Sequence, residues 1–125
     1  MGLLKTHILR FDLGGGPRAI ELMVAATARE RMRGLLGRRP LQGFEAMLLR
    51  SCRLIHTIGM GYPLDLVYLR RDGTVLKVTE SLPARRIDGH WRAHSVLEMA
   101  GGAAARCGIE VGAKLPLAQV EGWHV

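Results

Sequence analysis

Cysteine is scarce in this sequence, which contains only Cys52 and Cys107, far apart along the chain. A disulfide framework requires a denser set of cysteines, and the small proteins that depend on one are usually secreted. The sequence therefore argues against a disulfide-stapled scaffold, and we expect both cysteines to be free thiols.

Long hydrophobic runs are also absent. No apolar stretch approaches the roughly 18 residues that a transmembrane helix needs. Residues Met1 to Arg10 lack the basic start, apolar centre and small-residue cleavage site of a signal peptide. We therefore expect a cytoplasmic protein without a transmembrane segment.

Aromatic residues make up only 5% of the chain, and of its 18 basic residues only Lys5, Lys77 and Lys114 are lysines. The net charge of +7 would suit an anionic partner. However, the arginines are spread along the chain, and their one local cluster, over residues 29–39, has no interleaved aromatic residues to stack on bases. The composition of this basic protein does not favour nucleic acid as a partner.

What the chain does contain is a globular composition. Hydrophobic residues make up 48% of its 125 residues, interrupted by 16 glycines and 5 prolines. A chain of this length is in the usual range for one domain with a core of its own. We expect a single domain over residues 1–125.

Short apolar stretches bounded by Gly, Pro or Asp predict a mainly β fold, α+β by content. The pair Asp72-Gly73 between two of them predicts a hairpin with a type I′ turn, and Pro116 places the last strand at an edge. We expect a small sandwich-like or barrel-like antiparallel sheet. The predicted strands are residues 6–11, 19–24, 46–49, 54–58, 64–69, 74–78, 96–99 and 115–120.

Two helices are predicted beside the strands. The first runs from about residue 28 to 36, because Thr27 and Glu30 have the spacing of a capping box and Gly37 can end the helix. The second is a short alanine-rich helix near residues 101–107.

Chemically useful side chains are densest between Cys52 and Asp65. Cys52, His56 and Met60 recur every four residues, a spacing that puts all three on one face of a strand or one stripe of a helix. Thiol, imidazole and thioether groups together suit Cu(I). A copper-binding accessory protein is therefore one hypothesis, although the spacing leaves a second histidine ligand unassigned.

A small enzyme is another hypothesis, with Cys52 as nucleophile, His56 as base and Asp65 as the residue that orients it. Side chains four residues apart on one strand lie roughly 13 Å from each other, which is too far for proton transfer. The residues favour binding over catalysis, and we assign no catalytic residue, metal ligand or cofactor.

The leading hypothesis is a pocket for an unidentified small molecule or peptide. A carboxylate between Leu64 and Leu66 needs a partner if it faces inward, and we expect His56 or an arginine to be the partner of Asp65. The predicted binding residues are His56, Thr57, Met60, Tyr62 and Asp65.

Six stretches carry a family resemblance: Glu30 to Arg38, Ile55 to Met60 with its His-Thr-x-x-Met pattern, Pro63-Leu-Asp65, Asp72-Gly73, Val96 to Glu98, and Gly101 to Gly108. In these stretches, over residues 19–120, the chain resembles the uncharacterised prokaryotic domain-of-unknown-function family 192, also called uncharacterised protein family 0127. The resemblance implies a bacterial protein with a compact, mainly β fold. It implies no activity, no partner and no state of association.

Overall fold

The computed structural model describes residues 4–27, 30–31 and 34–123. Within these residues the fold contains eight strands, one short α-helix and a helical segment at Glu30 and Arg31. The strands are β1 (Thr6–Phe11), β2 (Arg18–Ala25), β3 (Glu45–Arg50), β4 (Leu54–His56), β5 (Leu64–Leu69), β6 (Val75–Leu82), β7 (Ile87–Gly89) and β8 (Ser95–Ala100), and the helix is α1 (Ala103–Arg106).

Six of the strands form one open sheet in the order β1-β2-β3-β8-β5-β6, and β4 pairs with β7 in a separate small sheet. The mainly β prediction is confirmed, but the large sheet does not close into a barrel. It is also not wholly antiparallel, because β2 and β3 run parallel. The long connection over residues 26–44 returns the chain to the same end of the sheet, as a parallel pair requires.

Both faces of the large sheet are covered, so its central strands are buried on both sides. Every residue of β5 is buried. One face, here called the helix face, packs Val67 and Leu97 against α1 and the C-terminal segment that includes Leu115. The other, here called the pocket face, packs Leu66 and other side chains against the segment before β3 and the small sheet.

The predicted capping box is present at the start of the first helical segment. The Glu30 amide donates to Thr27 Oγ1 over 3.1 Å, and the Thr27 amide donates to Glu30 Oε1 over 3.0 Å. Glu30 and Arg31 are helical, whereas Gly34, with a φ of 49°, already lies in a turn, before the predicted helix end at Gly37. Positions 28, 29, 32 and 33 of the predicted helix lie outside the described residues.

The predicted hairpin joins β5 to β6, but its turn is of another type. A type I′ turn needs positive φ at both central residues, whereas only Gly73 of the pair has one, at 93°. The Arg70 amide donates to the Thr74 carbonyl, and the Asp72 carboxylate accepts the Thr74 amide. The loop is therefore longer than the predicted two-residue one: a type I turn is followed by a glycine in the left-handed conformation.

The predicted strand over residues 115–120 is wrong. Leu117–Gln119 forms a 3-10 turn instead, because Pro116 cannot donate a ladder hydrogen bond and the turn buries Leu117 and Val120 in the core. The predicted helix near 101–107 is confirmed as α1. No helix in the described part of the chain is long and apolar enough to cross a membrane.

Candidate functional site

A pocket of about 70 Å³ lies on the pocket face, between the turn that follows Arg31, strand β4 and the centre of the large sheet. Half of its described lining residues are leucine or isoleucine, and its polar or sulfur-bearing groups come from several separate segments. The described lining residues are Arg31, Gly34, Leu35, Leu36, Leu49, Cys52, Leu54, Ile55, His56, Met60, Leu64 and Glu98.

Glu98 is the acidic residue of this pocket. It sits in the middle of β8, paired with Met47 of β3 on one side and Leu66 of β5 on the other. Its side chain has no hydrogen bond or ion pair among the described residues, although the residue is only 5% exposed. Burial raises the pKa of Glu98 to about 7, so both its charged and neutral forms are populated at neutral pH.

His56 lies on the exposed rim of the pocket. In the small sheet, His56 pairs with Ile87 and Leu54 pairs with Gly89. Paired residues point to the same side of a sheet, so Leu54, His56 and Ile87 share one side, here called the outer face of the small sheet. Ile55 points the other way and is buried.

Asp88 fixes the small sheet to the large one. Its carboxylate accepts hydrogen bonds from the Tyr68 hydroxyl over 2.7 Å and the Thr79 hydroxyl over 2.8 Å, and it forms an ion pair with Lys77 at 3.2 Å. Burial, followed by the hydrogen bond to Asp88, raises the pKa of Tyr68. This fully bonded network holds β7, and through it β4, beside the pocket.

Cys52 lines the pocket as a half-buried, free thiol. Its Sγ donates to the Leu54 carbonyl over 3.4 Å, and its amide donates to the His94 carbonyl. Burial raises the pKa of the Cys52 thiol, whereas a catalytic cysteine needs a lowered pKa. The surroundings of Cys52 therefore favour the protonated, weakly nucleophilic form.

Met60 lies between this pocket and a neighbouring one of about 170 Å³ that Tyr62 borders. The Tyr62 hydroxyl accepts the Leu41 amide over 3.2 Å, and burial raises the pKa of the Tyr62 phenol. Of the predicted binding residues, His56 and Met60 thus meet in the Glu98 pocket, and Tyr62 lies beside it.

Thr57 does not line the pocket. Its side chain is fully buried, donating through Oγ1 to the Pro83 carbonyl over 2.7 Å and accepting the Arg86 amide over 2.9 Å. Its own amide donates to the Arg86 carbonyl. Thr57 therefore stabilises the position of the loop over residues 83–86, outside the pocket.

Asp65 also lies away from the pocket, on the helix face. It is fully buried and accepts three backbone hydrogen bonds, from the amides of Ser81 (2.8 Å), Gly102 (3.1 Å) and Ala104 (2.9 Å). The expected partner, His56 or an arginine, is thus replaced by backbone amides, two at the start of α1 and one in β6. With its oxygens so engaged, Asp65 does not orient His56.

The cysteine, histidine and methionine of the copper hypothesis all line the one pocket. In the part of the chain that the structure describes, no three or more His, Cys, Asp or Glu side chains are grouped as metal ligands. The three side chains of the copper hypothesis thus share one pocket. The described residues contain no group of additional metal ligands beside them.

The model of the family DUF192, described as "Uncharacterized ACR", matches residues 10–117. The chain belongs to the DUF192 family. The resemblance seen in the sequence is thereby confirmed, over a slightly different range from the expected 19–120. A search of the curated proteins found no match.

Two solved structures share the fold of this DUF192 protein. One, a protein of unknown function from Novosphingobium aromaticivorans, is 24% identical, with a TM-score of 0.79 over 89% of this chain and 84% of that one. The other, from Sinorhizobium meliloti and provisionally described as a transcription regulator, is 21% identical, with a TM-score of 0.82 over 92% and 95% of the two chains. At these identities the likeness concerns the fold alone.

Glu98 is the pocket residue that the sequence reasoning did not select. A signal for it was present, because Glu98 interrupts the apolar run Val96-Leu97-Glu98-Met99 in a predicted strand. Like Asp65, Glu98 is an acid within an apolar run and needs a partner if it faces inward. The pairing of β5 with β8 decides that Glu98 faces β4 and Asp65 faces α1, and this pairing cannot be deduced from the sequence.

Proposed function

We propose that this DUF192 protein is a small, non-enzymatic ligand-binding domain whose site is the pocket over Glu98. The observation that carries the proposal is the Glu98 carboxyl itself, buried at the centre of the sheet and facing the pocket without a partner among the described residues. His56 and Met60 supply the rim and one wall of the same pocket.

An unpaired buried carboxyl lowers the stability of a fold unless something bonds to it. The other buried acids among the described residues, Glu45 and Asp65, have hydrogen-bond partners within the protein, as does the half-buried Asp88. Glu98 differs from them by facing an accessible cavity, where a bound group can provide the missing hydrogen bonds. Buried ionisable groups without partners in the protein are typical of binding sites.

The proposal can be tested with small probes by two-dimensional NMR of the isotope-labelled protein. Methylammonium, acetamide and acetate represent cationic, neutral and anionic groups that fit the pocket. We expect at least one of them to shift the amide signals of Leu49, Cys52 and Glu98 in a saturable way, and Glu98→Gln to weaken that binding. The matched control, Glu110→Gln, changes an exposed acid far from the pocket and should bind as the native protein does.

If none of the three probes shifts the pocket amides, even at tens of millimolar, the proposed site is wrong. If shifts occur but are the same in Glu98→Gln, the pocket binds ligands without using the residue on which the proposal rests, and the proposal fails in that form.

A second candidate function is acid-base catalysis, and the observation that favours it is a carboxyl with a pKa of about 7 in the same pocket as His56. Glu98 would then act as the acid or base, a role that the sequence hypothesis gave to His56. Following the bound probe by NMR for a day separates the two functions. An unchanged probe is expected for a binding domain, and chemical conversion that Glu98→Gln abolishes would favour the enzyme.

A further inference from the structure

We infer that the ligand is a peptide that inserts a lysine side chain over Glu98 and rests an adjacent apolar side chain on the outer face of the small sheet. This inference rests on the proposed binding function of the pocket. It adds the chemical class of the group that enters and the class of molecule that carries it.

The size of the pocket favours a single functional group. Pockets for drug-sized molecules typically measure about 300–1,000 Å³, whereas this one measures about 70 Å³. It accommodates one head group and a short stem, so most of any larger ligand must lie outside. Its apolar walls, which include Leu35, Leu49 and Leu64, suit an unbranched methylene stem.

The charge at the floor of the pocket favours an ammonium group. A cation that pairs with the Glu98 carboxylate offsets the cost of burying that charge. An ammonium has three donors, whereas a guanidinium has five in a planar fork, and Glu98 is the one carboxylate among the described lining residues. Arg31, which also lines the pocket, is tethered by a hydrogen bond from Nη1 to the Ala26 carbonyl over 2.6 Å.

The surface beside the pocket favours a peptide over a free amine. Leu54 and Ile87 are 67% and 68% exposed on the outer face, and Ile58 is 56% exposed two residues beyond β4. Leu54 and His56 belong both to this face and to the pocket, so the apolar surface continues into the cavity. Contiguous exposed apolar side chains next to a cleft are typical of an interaction surface, and a free amine would leave them uncovered.

The test compares three probes by NMR titration: the capped peptide acetyl-Ala-Leu-Lys-Leu-Ala-amide, its twin with norleucine in place of lysine, and n-butylammonium chloride. We expect the lysine peptide to bind at least tenfold more tightly than either of the others. Glu98→Gln should abolish the difference between the peptide and its norleucine twin. Ile87→Ser, which lies outside the described pocket lining, should weaken the peptide several-fold without changing the affinity for n-butylammonium.

The outcomes separate this inference from the function it rests on. Equal affinity of the lysine and norleucine peptides would overturn the cationic anchor. Equal affinity of the peptide and n-butylammonium, or an unchanged peptide affinity in Ile87→Ser, would overturn the inference that the ligand is a peptide. In each of these cases methylammonium, acetamide or acetate still shifts the pocket amides if the binding function is correct. Only failure of all the probes contradicts both the lysine-peptide inference and the binding function. The dispersed amide spectrum of each variant shows that it is folded.

Discussion

Asp65 and Glu98 lie on neighbouring strands of one sheet and project from its opposite faces. The register pairs Asp65 with Met99 and Leu66 with Glu98, and successive residues of a strand alternate between the two faces. Both acids are buried, but Asp65 accepts three backbone hydrogen bonds and Glu98 accepts none among the described residues. One acid stabilises the fold, and the other is available to a ligand.

Replacing Asp65 should destabilise the protein. In Asp65→Asn the amide NH₂ group faces at least one of the three backbone amides that the carboxylate now accepts, which leaves a buried donor without a partner. We expect the free energy of unfolding, measured with urea, to fall by about 2–4 kcal/mol. The start of α1 should open first, because two of the three donors, Gly102 and Ala104, lie there.

The control for this change is Asp12→Asn. The Asp12 carboxylate also accepts two backbone amides, from Gly14 and Gly16, but it is exposed to solvent. Water can replace those bonds, so we expect a loss below about 1 kcal/mol. Equal losses in the two variants would show that burial of Asp65 does not determine its contribution.

The Gly73 turn gives a second prediction about stability. Gly73 has a φ of 93°, and a Cβ there would lie 2.1 Å from the Leu115 carbonyl oxygen. Gly112 has a nearly equal φ of 91°, but a Cβ there meets no atom within 4 Å. We expect Gly112→Ala to cost about 1 kcal/mol from backbone strain alone.

Gly73→Ala should cost at least twice as much, since the turn and the segment of Leu115 must separate in addition. The Leu115 amide, which donates to the Gly73 carbonyl over 3.0 Å, should then exchange its hydrogen faster than in the native protein. Similar melting temperatures for the two alanine variants would contradict the close approach.

The strands of the large sheet were largely predictable, because a short run of apolar residues bounded by Gly, Pro or Asp is typical of a strand. The predicted bounds of β1 and β5 agree with the structure, residue for residue. Strand β7 was missed, because three residues with a central Asp88 have neither the length nor the apolar pattern of a strand. It is held by side-chain bonds from β5 and β6, which a local pattern does not contain.

The candidate site was predictable only in part. Cys52, His56 and Met60 do line one pocket, but not along one strand as the spacing predicted, because β4 covers only Leu54–His56 and the other two lie outside it. Thr57 and Asp65 turned out to bond backbone groups that are distant in sequence, and Glu98 was not selected at all. Whether an acid faces a pocket or a helix start depends on the face of the sheet that it occupies, and this follows from strand pairing.

The Cys52 thiol should react slowly. Burial raises its pKa, and only the thiolate is nucleophilic. In a Cys107→Ser variant, alkylation of Cys52 by iodoacetamide should show an apparent pKa above the ordinary value of about 8.5 and a rate at pH 7 below that of a small free thiol. A midpoint below pH 7.5 would instead support the hypothesis of a catalytic cysteine.

Glu98 should make the protein less stable as the pH rises. Its pKa is about 7 in the folded state against 4.5 for an exposed glutamate, so between these values the folded state binds more protons than the unfolded state. The slope of unfolding free energy against pH is then negative. The contribution is absent below about pH 4.5 and amounts at most to about 3 kcal/mol of destabilisation above pH 7.

Glu98→Gln removes this ionisation, so the variant should gain stability relative to the native protein as the pH rises from 4.5 to 8. Urea unfolding of both proteins across this range measures the difference, in which the titration of all other groups cancels. Glu110→Gln, a change at an exposed acid, should instead give a curve parallel to that of the native protein. If the Glu98→Gln curve is parallel as well, the Glu98 carboxyl is already ionised and solvated in the folded state, and a ligand would gain nothing by pairing with it.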